Sequence, residues 1–363
     1  MCDNPAVHDQ IHEGAGGELV VPAASRRTIL KSALAIGGAT LAAGALGTAA
    51  AGAAYADSGS AGSSRPVTGD RIVMLGVNGG PVADPGTTKP AIALVAGTGT
   101  YLIDSGLDTA RQLVDCGLGY AAMSNVFITH HHFDHTSGLP GLVMHGWVSR
   151  KLPTLNIWGP PDTAAKLAGI KQTFNQDINT FLSGGGFGPF PTVNTTDIAV
   201  PADGTPTRVM EDANVVVDAT RVFHGPEVAN AYAYRFTIKS TGKVVVFSGD
   251  TAAPDQNLIN LAKNCDVLVH ETQNNLKVDQ IAASLPPAQG DALRKHLYES
   301  HSNVVDLPGV AKAANAKKLV FCHYTPDYTD RPQVYLSQAR PAARKVGYRG
   351  DIIAPSALDV IRL

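Results

Sequence analysis

At 363 residues the chain is long enough for one large domain or two ordinary ones, and a hydrophobic content of 44% provides for a sizeable core. Charged residues make up 17%, the share of a globular protein, and the formal net charge of −2 removes any bulk electrostatic reason to expect a nucleic acid or an anionic membrane as partner.

Residues 1–56 read as a segment outside the fold. Ser25-Arg26-Arg27-Thr28-Ile29-Leu30-Lys31 carries paired arginines in the pattern of a twin-arginine export signal, and a weakly apolar Ala/Gly-rich stretch follows over residues 32–54. Ala54-Tyr55-Ala56 supplies the small residues an exported-protein peptidase accepts. Cleavage there leaves Asp57 as the new N-terminus of a periplasmic or secreted protein, with the twin-arginine export machinery as a partner. Alanine and glycine give little transfer energy, so no stable membrane anchor is expected, and no cysteine follows the cleavage site to make a lipoprotein. Cys2 leaves with the signal, and Cys116, Cys265 and Cys322 lack C-x-x-C spacing, so neither a structural disulfide nor a zinc ribbon is expected. Cys265 and Cys322 adjoin apolar runs and read as buried small hydrophobes.

Residues 57–69 are Ser/Gly-rich and read as a flexible lead-in to a single domain over 70–363. Strands are predicted at 72–75, 91–95 and 101–103, the last two joined at Gly97-Thr98-Gly99, then a helix at 109–116 and a strand at 125–128. A strand at 155–158 and a helix at 162–172, capped by Asp162, come next. From 176 to 207 the periodicity fails around Gly184-Gly185-Gly186-Phe187-Gly188-Pro189-Phe190-Pro191, which marks a long irregular excursion. Two roles are open for its Phe181, Phe187 and Phe190: covering an apolar substrate, or plain packing within the loop. Residues 214–223, 231–238 and 243–247 read as an antiparallel meander, and 266–269 and 318–322 as buried strands with helices between and after them. Short strands alternating with helices imply a layered α/β architecture.

The strand at 125–128 feeds Thr129-His130-His131-His132-Phe133-Asp134-His135, in which His130, His132, Asp134 and His135 spell H-x-H-x-D-H. Residues two apart in an extended segment face the same way, so His130 and His132 can grip one ion. The chain must then turn, and Asp134 and His135 can face a second ion. Imidazole suits zinc, while the carboxylate leaves manganese or iron open. Three later residues fall where predicted strands end: His224 before Gly225-Pro226, Asp250 in Phe247-Ser248-Gly249-Asp250-Thr251, and His323 after 319–322. Ser248 and Gly249 are small enough to let the Asp250 carboxylate project.

With this ordered set the chain resembles the metallo-β-lactamase-fold hydrolases over roughly residues 70–363. The resemblance implies an αββα sandwich with two divalent ions at one edge of its sheets. One ion would be held by His130, His132 and His224, the other by Asp134, His135 and His323, with Asp250 bridging both. Asp266-Val267-Leu268-Val269-His270-Glu271 is similar to the D-x-L-x-H-E strand of the ribonuclease Z-like and arylsulfatase-like branch. Glu299-Ser300-His301-Ser302 is similar to that branch's His-Ser-Thr loop, with Asn303 where the branch has threonine. The pairing this implies is Glu271 orienting His301, and Asp104 at the end of an early strand is implied to buttress the histidine loop. His145, His270 and His296 read as structural or surface residues.

Two divalent ions roughly 3.5–4 Å apart can share a water and lower its pKa toward about 7. Asp134 can hold such a nucleophile in line, and His301 with Glu271 is the candidate general acid, worth roughly 10²–10⁴-fold. These parts fit hydrolysis of a small ester-type substrate, a phosphodiester or sulfate ester being favoured. Lactone hydrolysis and hydrolytic dehalogenation of an aromatic compound stay open because they need the same machinery. A ribonuclease Z-type RNA endonuclease is a further alternative, but the excursion over 159–200 sets only Lys166 and Lys171 against Asp162, Asp177 and Asp197. A metal-binding protein without catalysis would keep the ligands and tolerate loss of His301 and Glu271. The resemblance leaves a homodimer open.

Overall fold

The computed structural model describes residues 68–82, 86–152, 154–326 and 331–363, so the export signal, its cleavage site and nearly all of the lead-in lie outside the described residues. The first sheet is built from β1 (Arg71–Gly76), β2 (Ala91–Ala96), β3 (Gly99–Ile103), β4 (Met123–Phe127), β5 (Leu155–Gly159) and β6 (Val193–Asp197). The second takes β7 (Thr207–Glu211), β8 (Val215–Val222), β9 (Ala231–Ile238), β10 (Val244–Phe247), β11 (Val267–Gln273), β12 (Lys318–Thr325) and β13 (Asp351–Ile353). A closing strand, β14 (Val360–Arg362), returns to the first sheet. The spatial orders are β14-β1-β2-β3-β4-β5-β6 and β13-β12-β11-β10-β9-β8-β7. The helices are α1 (Thr109–Asp115), α2 (Phe133–Thr136), α3 (Leu139–Val148), α4 (Thr163–Thr173) and α5 (Asn175–Ser183) beside the first sheet's strands in the chain. Among those of the second are α6 (Gln256–Leu261), α7 (Asn275–Ala283), α8 (Pro287–Ser300), α9 (Leu307–Ala313) and α10 (Arg331–Val346).

Strand alternation explains how both faces of the first sheet are covered. Ile72 and Met74 join Leu94, Tyr101, Phe127, Phe236 and Phe247 in the core between the sheets. Val73 and Leu75 point the other way, into a second apolar layer with Leu113, Leu142 and Val143 from α1 and α3. A strand buried on both faces reads as a continuous apolar run, which is why 72–75 carries no polar residue. Each sheet is half antiparallel and half parallel, the parallel pairs being β3 to β6 and β10 to β13. The antiparallel meander expected over 214–247 is present as β8, β9 and β10.

Two expectations change. The stretch over 176–207 is only partly irregular, since α5 occupies its first quarter and β6 follows the glycine-rich loop. Pattern reading loses α5 because the helix is short and runs directly into the glycine-rich loop, which obscures the shared face of Ile178, Phe181 and Leu182. It loses β6 because this is an exposed edge strand added in parallel to β5. The cap of α4 also differs: Asp162 holds the cap position at φ 78° but makes no side-chain cap bond. Asp197, at the end of β6, accepts from Asp162 N at 3.1 Å and Ala164 N at 3.0 Å instead. Cys116, Cys265 and Cys322 are free thiols; Cys265 is buried as expected, but Cys322 only partly.

Candidate metal centre

The site forms at the edge where the ends of β3, β4, β8, β10 and β12 meet. Asp104, one residue past β3, organises it from a left-handed backbone at φ 59°. Its carboxylate accepts Thr129 N at 2.8 Å and Thr129 Oγ1 at 2.9 Å, and its Oδ2 also lies 2.8 Å from His135 Nδ1. One carboxylate therefore ties down both ends of the histidine loop, the buttressing role that the resemblance implies for it.

Within that loop the chain leaves β4 extended and closes into the single turn α2, so the predicted reversal after His132 is present. His131 turns away, its Nε2 3.0 Å from Pro161 O. His130 and His132 stack edge-on at 4.6 Å between ring centroids, and each lies within 5.0 Å of the His224 ring. The ligand atoms of His130, His132 and His224 all fall within 4.8 Å of one another, as do those of Asp134, His135 and His323. Asp250 lies between the two triads. Its Oδ2 is 3.1 Å from His323 Nε2, 3.2 Å from His135 Nε2, and 3.7 Å from both His130 and His224 Nε2.

The outer ring nitrogen of each buried histidine is held by the protein, which leaves Nε2 aimed at the centre. His130 Nδ1 meets Thr129 Oγ1 at 3.1 Å, His224 Nδ1 meets Ser300 O at 2.7 Å, and His323 Nδ1 meets Thr325 Oγ1 at 3.1 Å. His323 does not end its strand, as the sequence suggested. It is a bulge within β12, where Glu271 pairs with Cys322 and Thr272 with Tyr324. A bulge re-aims a side chain, and here it holds His323 at φ 48°. Gly249 stands at φ 60°, where a Cβ would press on Tyr232 O at 2.6 Å, so a glycine is needed to swing Asp250 inward. At Gly79 a Cβ would collide with the His323 ring and the Thr325 hydroxyl.

Burial is the largest influence on the imidazoles. It holds His130 well below the ordinary value, lowers His132, and takes His224 down to about 3. Burial also disfavours charge on His135 and His323, but the neighbouring carboxylates, Asp250 first, more than offset it. His135 rises well above the ordinary value and His323 to about 10. Burial would raise Asp134 and Asp250, yet His135 and His323 keep both carboxyls below the usual range. The site thus stabilises two carboxylate charges by gathering positive charge around them. His130 Nε2, His135 Nε2 and Asp250 Oδ1 are moreover buried without a hydrogen-bond partner. Each such atom costs about 1–3 kcal/mol unless something satisfies it. A divalent cation on these nitrogens and carboxylates fits both observations.

His301 follows α8 at the mouth. Its ring stacks on His323 at 5.3 Å between centroids and meets His224 at 5.0 Å. Glu271 Oε2 lies 3.4 Å from His301 Nδ1, near but outside hydrogen-bond geometry, while Glu271 Oε1 accepts Ser302 N at 2.7 Å. All nine residues singled out from the sequence are therefore gathered at one edge. His145 and His296 are exposed elsewhere on α3 and α8, and His270 is buried in β11 with its Nδ1 2.7 Å from Glu271 O. The helpers missed by sequence reasoning are Thr129, Thr325, the Ser300 carbonyl and Gly79, none of which carries a motif of its own.

This fold and site define a metal-dependent hydrolase of the metallo-β-lactamase superfamily. Residues 100–324 match the family profile described as "Beta-lactamase superfamily domain", and the chain belongs to that family. It is similar to ribonuclease Z of Picrophilus torridus, at 27% identity over 289 residues, covering 72% of this chain and 87% of the relative. Against ribonuclease Z of Mycobacterium tuberculosis the identity is 28% over 263 residues, covering 70% and 85%. Among solved structures, the short form of human tRNase Z superposes with a TM-score of 0.57 at 21% identity, covering 80% of this chain and 98% of that one. Zn(2+)-bound PqqB from Methylobacterium extorquens gives 0.54 at 14% identity, covering 81% and 100%. At these identities the structural likeness concerns the fold.

Proposed function

We propose that the protein is an exported phosphodiesterase of small substrates that works with two divalent ions, zinc being the favoured metal. The observation that carries this reading is Asp250 Oδ2, 3.1–3.7 Å from four histidine Nε2 atoms drawn from both triads. His130, His132 and His224 would hold one ion, Asp134, His135 and His323 the other, with Asp250 shared. Bound there, two such ions supply Lewis acidity and bring the pKa of water to about 7. Asp134, which would hold the second ion with His135 and His323, would orient the attacking water. His301 holds a proton above both triads and gives it to the departing oxygen. Glu271 stands behind its Nδ1, fixed in turn by the Ser302 amide, and stabilises the imidazolium. A sulfate ester would be handled by the same groups.

A small substrate is favoured over tRNA by how few cations the excursion carries, only Lys166 and Lys171 over residues 159–200. Lys166 Nζ donates to Thr136 Oγ1 at 3.1 Å, and Lys171 lies 5.6 Å above the Phe190 ring. Neither forms part of a basic arm of the kind that phosphate-driven RNA binding needs. The second reading, an RNA endonuclease, is favoured by the names of the relatives above, which align over about 70% of the chain. Purified, metal-analysed protein offered nitrophenyl phosphodiesters, sulfate esters, lactones and precursor tRNA decides between them. Chelator-sensitive turnover of the small phosphodiester is expected, and cleavage of the tRNA alone would replace it with the second reading. Export is tested separately: Arg26→Lys with Arg27→Lys should trap uncleaved precursor in the cytoplasm.

A further inference from the structure

We propose that Lys166 is a substrate-binding residue that receives a second negative charge, a phosphate set apart from the scissile bond. This rests on the phosphodiesterase reading above and narrows its substrate class to esters carrying an additional anionic group.

The first observation is position. The segment leading into α4 lies along the histidine loop, with His131 Nε2 3.0 Å from Pro161 O and 3.5 Å from Thr163 Oγ1. Three residues further on, Lys166 Nζ donates to Thr136 Oγ1 at 3.1 Å, and that hydroxyl donates to His132 O at 3.1 Å. Thr136 is four residues past His132, on the same face of the turn, so the ammonium stands about one helical turn from the proposed ligand. This is also the open side of the site. His132 is exposed whereas His130, His135, His224, His323, Asp134 and Asp250 are buried, and the neighbouring Phe133 is 67% exposed. A substrate entering past His132 passes Lys166.

The second observation is charge. Lys166 is half-buried, and among the described residues no carboxylate lies within ion-pair distance of it; its one side-chain partner is the neutral hydroxyl of Thr136. Asp197 has both oxygens committed to the backbone of α4, and Asp162, four residues before Lys166 at the cap of the same helix, makes no ion pair with it among the described residues. Partial burial lowers the ammonium's pKa, and no charged neighbour opposes it. A half-buried cation without a counter-ion is costly, and an incoming anion removes that cost. A purely structural role needs no charge, since a hydroxyl partner accepts equally well from a neutral donor.

The test uses the metal-loaded enzyme and two matched nitrophenyl nucleoside phosphodiesters, one bearing a further phosphate on the sugar and one bearing a hydroxyl there. For Lys166→Met we expect KM for the doubly charged ester to rise about tenfold, with kcat kept and the matched ester unaffected. Lys166→Arg should restore the difference, and added salt should shrink it in the wild type. Equal loss on both esters would assign Lys166 to holding Thr136 and overturn the proposal, as would no loss on either. If the wild type cleaves neither ester, the phosphodiesterase reading fails. Calorimetric titration of the same pair then still decides the proposal: tighter binding of the doubly charged ester, lost in Lys166→Met, upholds it, and equal binding overturns it.

Discussion

The loop after β4 and the excursion after β5 are neighbours in the chain and in space, yet they are built on opposite terms. In the loop, Asp104 binds Thr129 and His135, and Thr129 in turn meets His130, so the orientation of the His130 and His135 rings is fixed by the protein. In the excursion, α5 buries no residue, and beside hydrogen bonds from Arg150 to Gly186 O and from Trp147 Nε1 to Gly188 O the side chains pack as aromatic rings. The Trp147 ring lies 5.8 Å from Phe181 and 5.0 Å from Phe190, and Phe181 lies 4.6 Å from Phe187. Hydrogen-bonded geometry at the loop allows few alternatives, whereas apolar rings can repack. The first region therefore presents fixed ligand directions, and the second an apolar cluster that can rearrange.

The contrast is broken most completely at Asp250. Asp250→Ala removes the carboxylate shared by the two triads and the main negative charge beside His135 and His323, and should lose bound metal and activity together. Metal analysis by mass spectrometry alongside turnover checks it; two ions retained with activity intact would remove Asp250 from the ligand set. His301→Ala comes next, with turnover expected to fall by roughly 10²–10⁴-fold while both ions stay. Loss of an ion in that variant would make His301 a ligand, since its ring nitrogens also lie within reach of His224 and Asp250. Asp104→Asn keeps the shape but weakens the hold on His135, and metal affinity should drop by about 10–100-fold, read by competition with a chelator.

These effects follow how legible each part is in the sequence. H-x-H-x-D-H can be read directly because its donors are contiguous and local geometry sets their directions. His224 and Asp250 are legible as polar residues just past apolar strands. Position alone does not show that His323 sits in a bulge, because the skipped pairing is decided by β11 across the sheet. The capping of α4 by Asp197 spans more than thirty residues. The partners Thr129, Thr325 and Ser300 likewise act through contacts that the fold alone creates. Of the fold, strands with one clear period were readable, while α5 was not: its apolar residues Ile178, Phe181 and Leu182 share one face, but the helix is short and runs straight into the glycine-rich loop, which obscures the period.

The smallest expected effect bears on the excursion itself. Phe187 is half-buried and its ring meets Phe181, so Phe187→Ala should cost about 1 kcal/mol of stability, the usual worth of one aromatic pair. If the rings serve packing, kcat/KM for nitrophenyl esters stays at the wild-type value while the melting temperature falls slightly. If they cover substrate, the melting temperature holds and KM rises for aromatic esters but not for alkyl ones. The first outcome is expected, because Phe187 packs on Phe181, while Phe190 meets Trp147 edge-on, carries Lys171 over its ring and packs against the apolar layer under α3. A ring engaged on both sides by its own protein has no face left to offer a substrate, and specificity then falls to groups on the open side of the histidine loop.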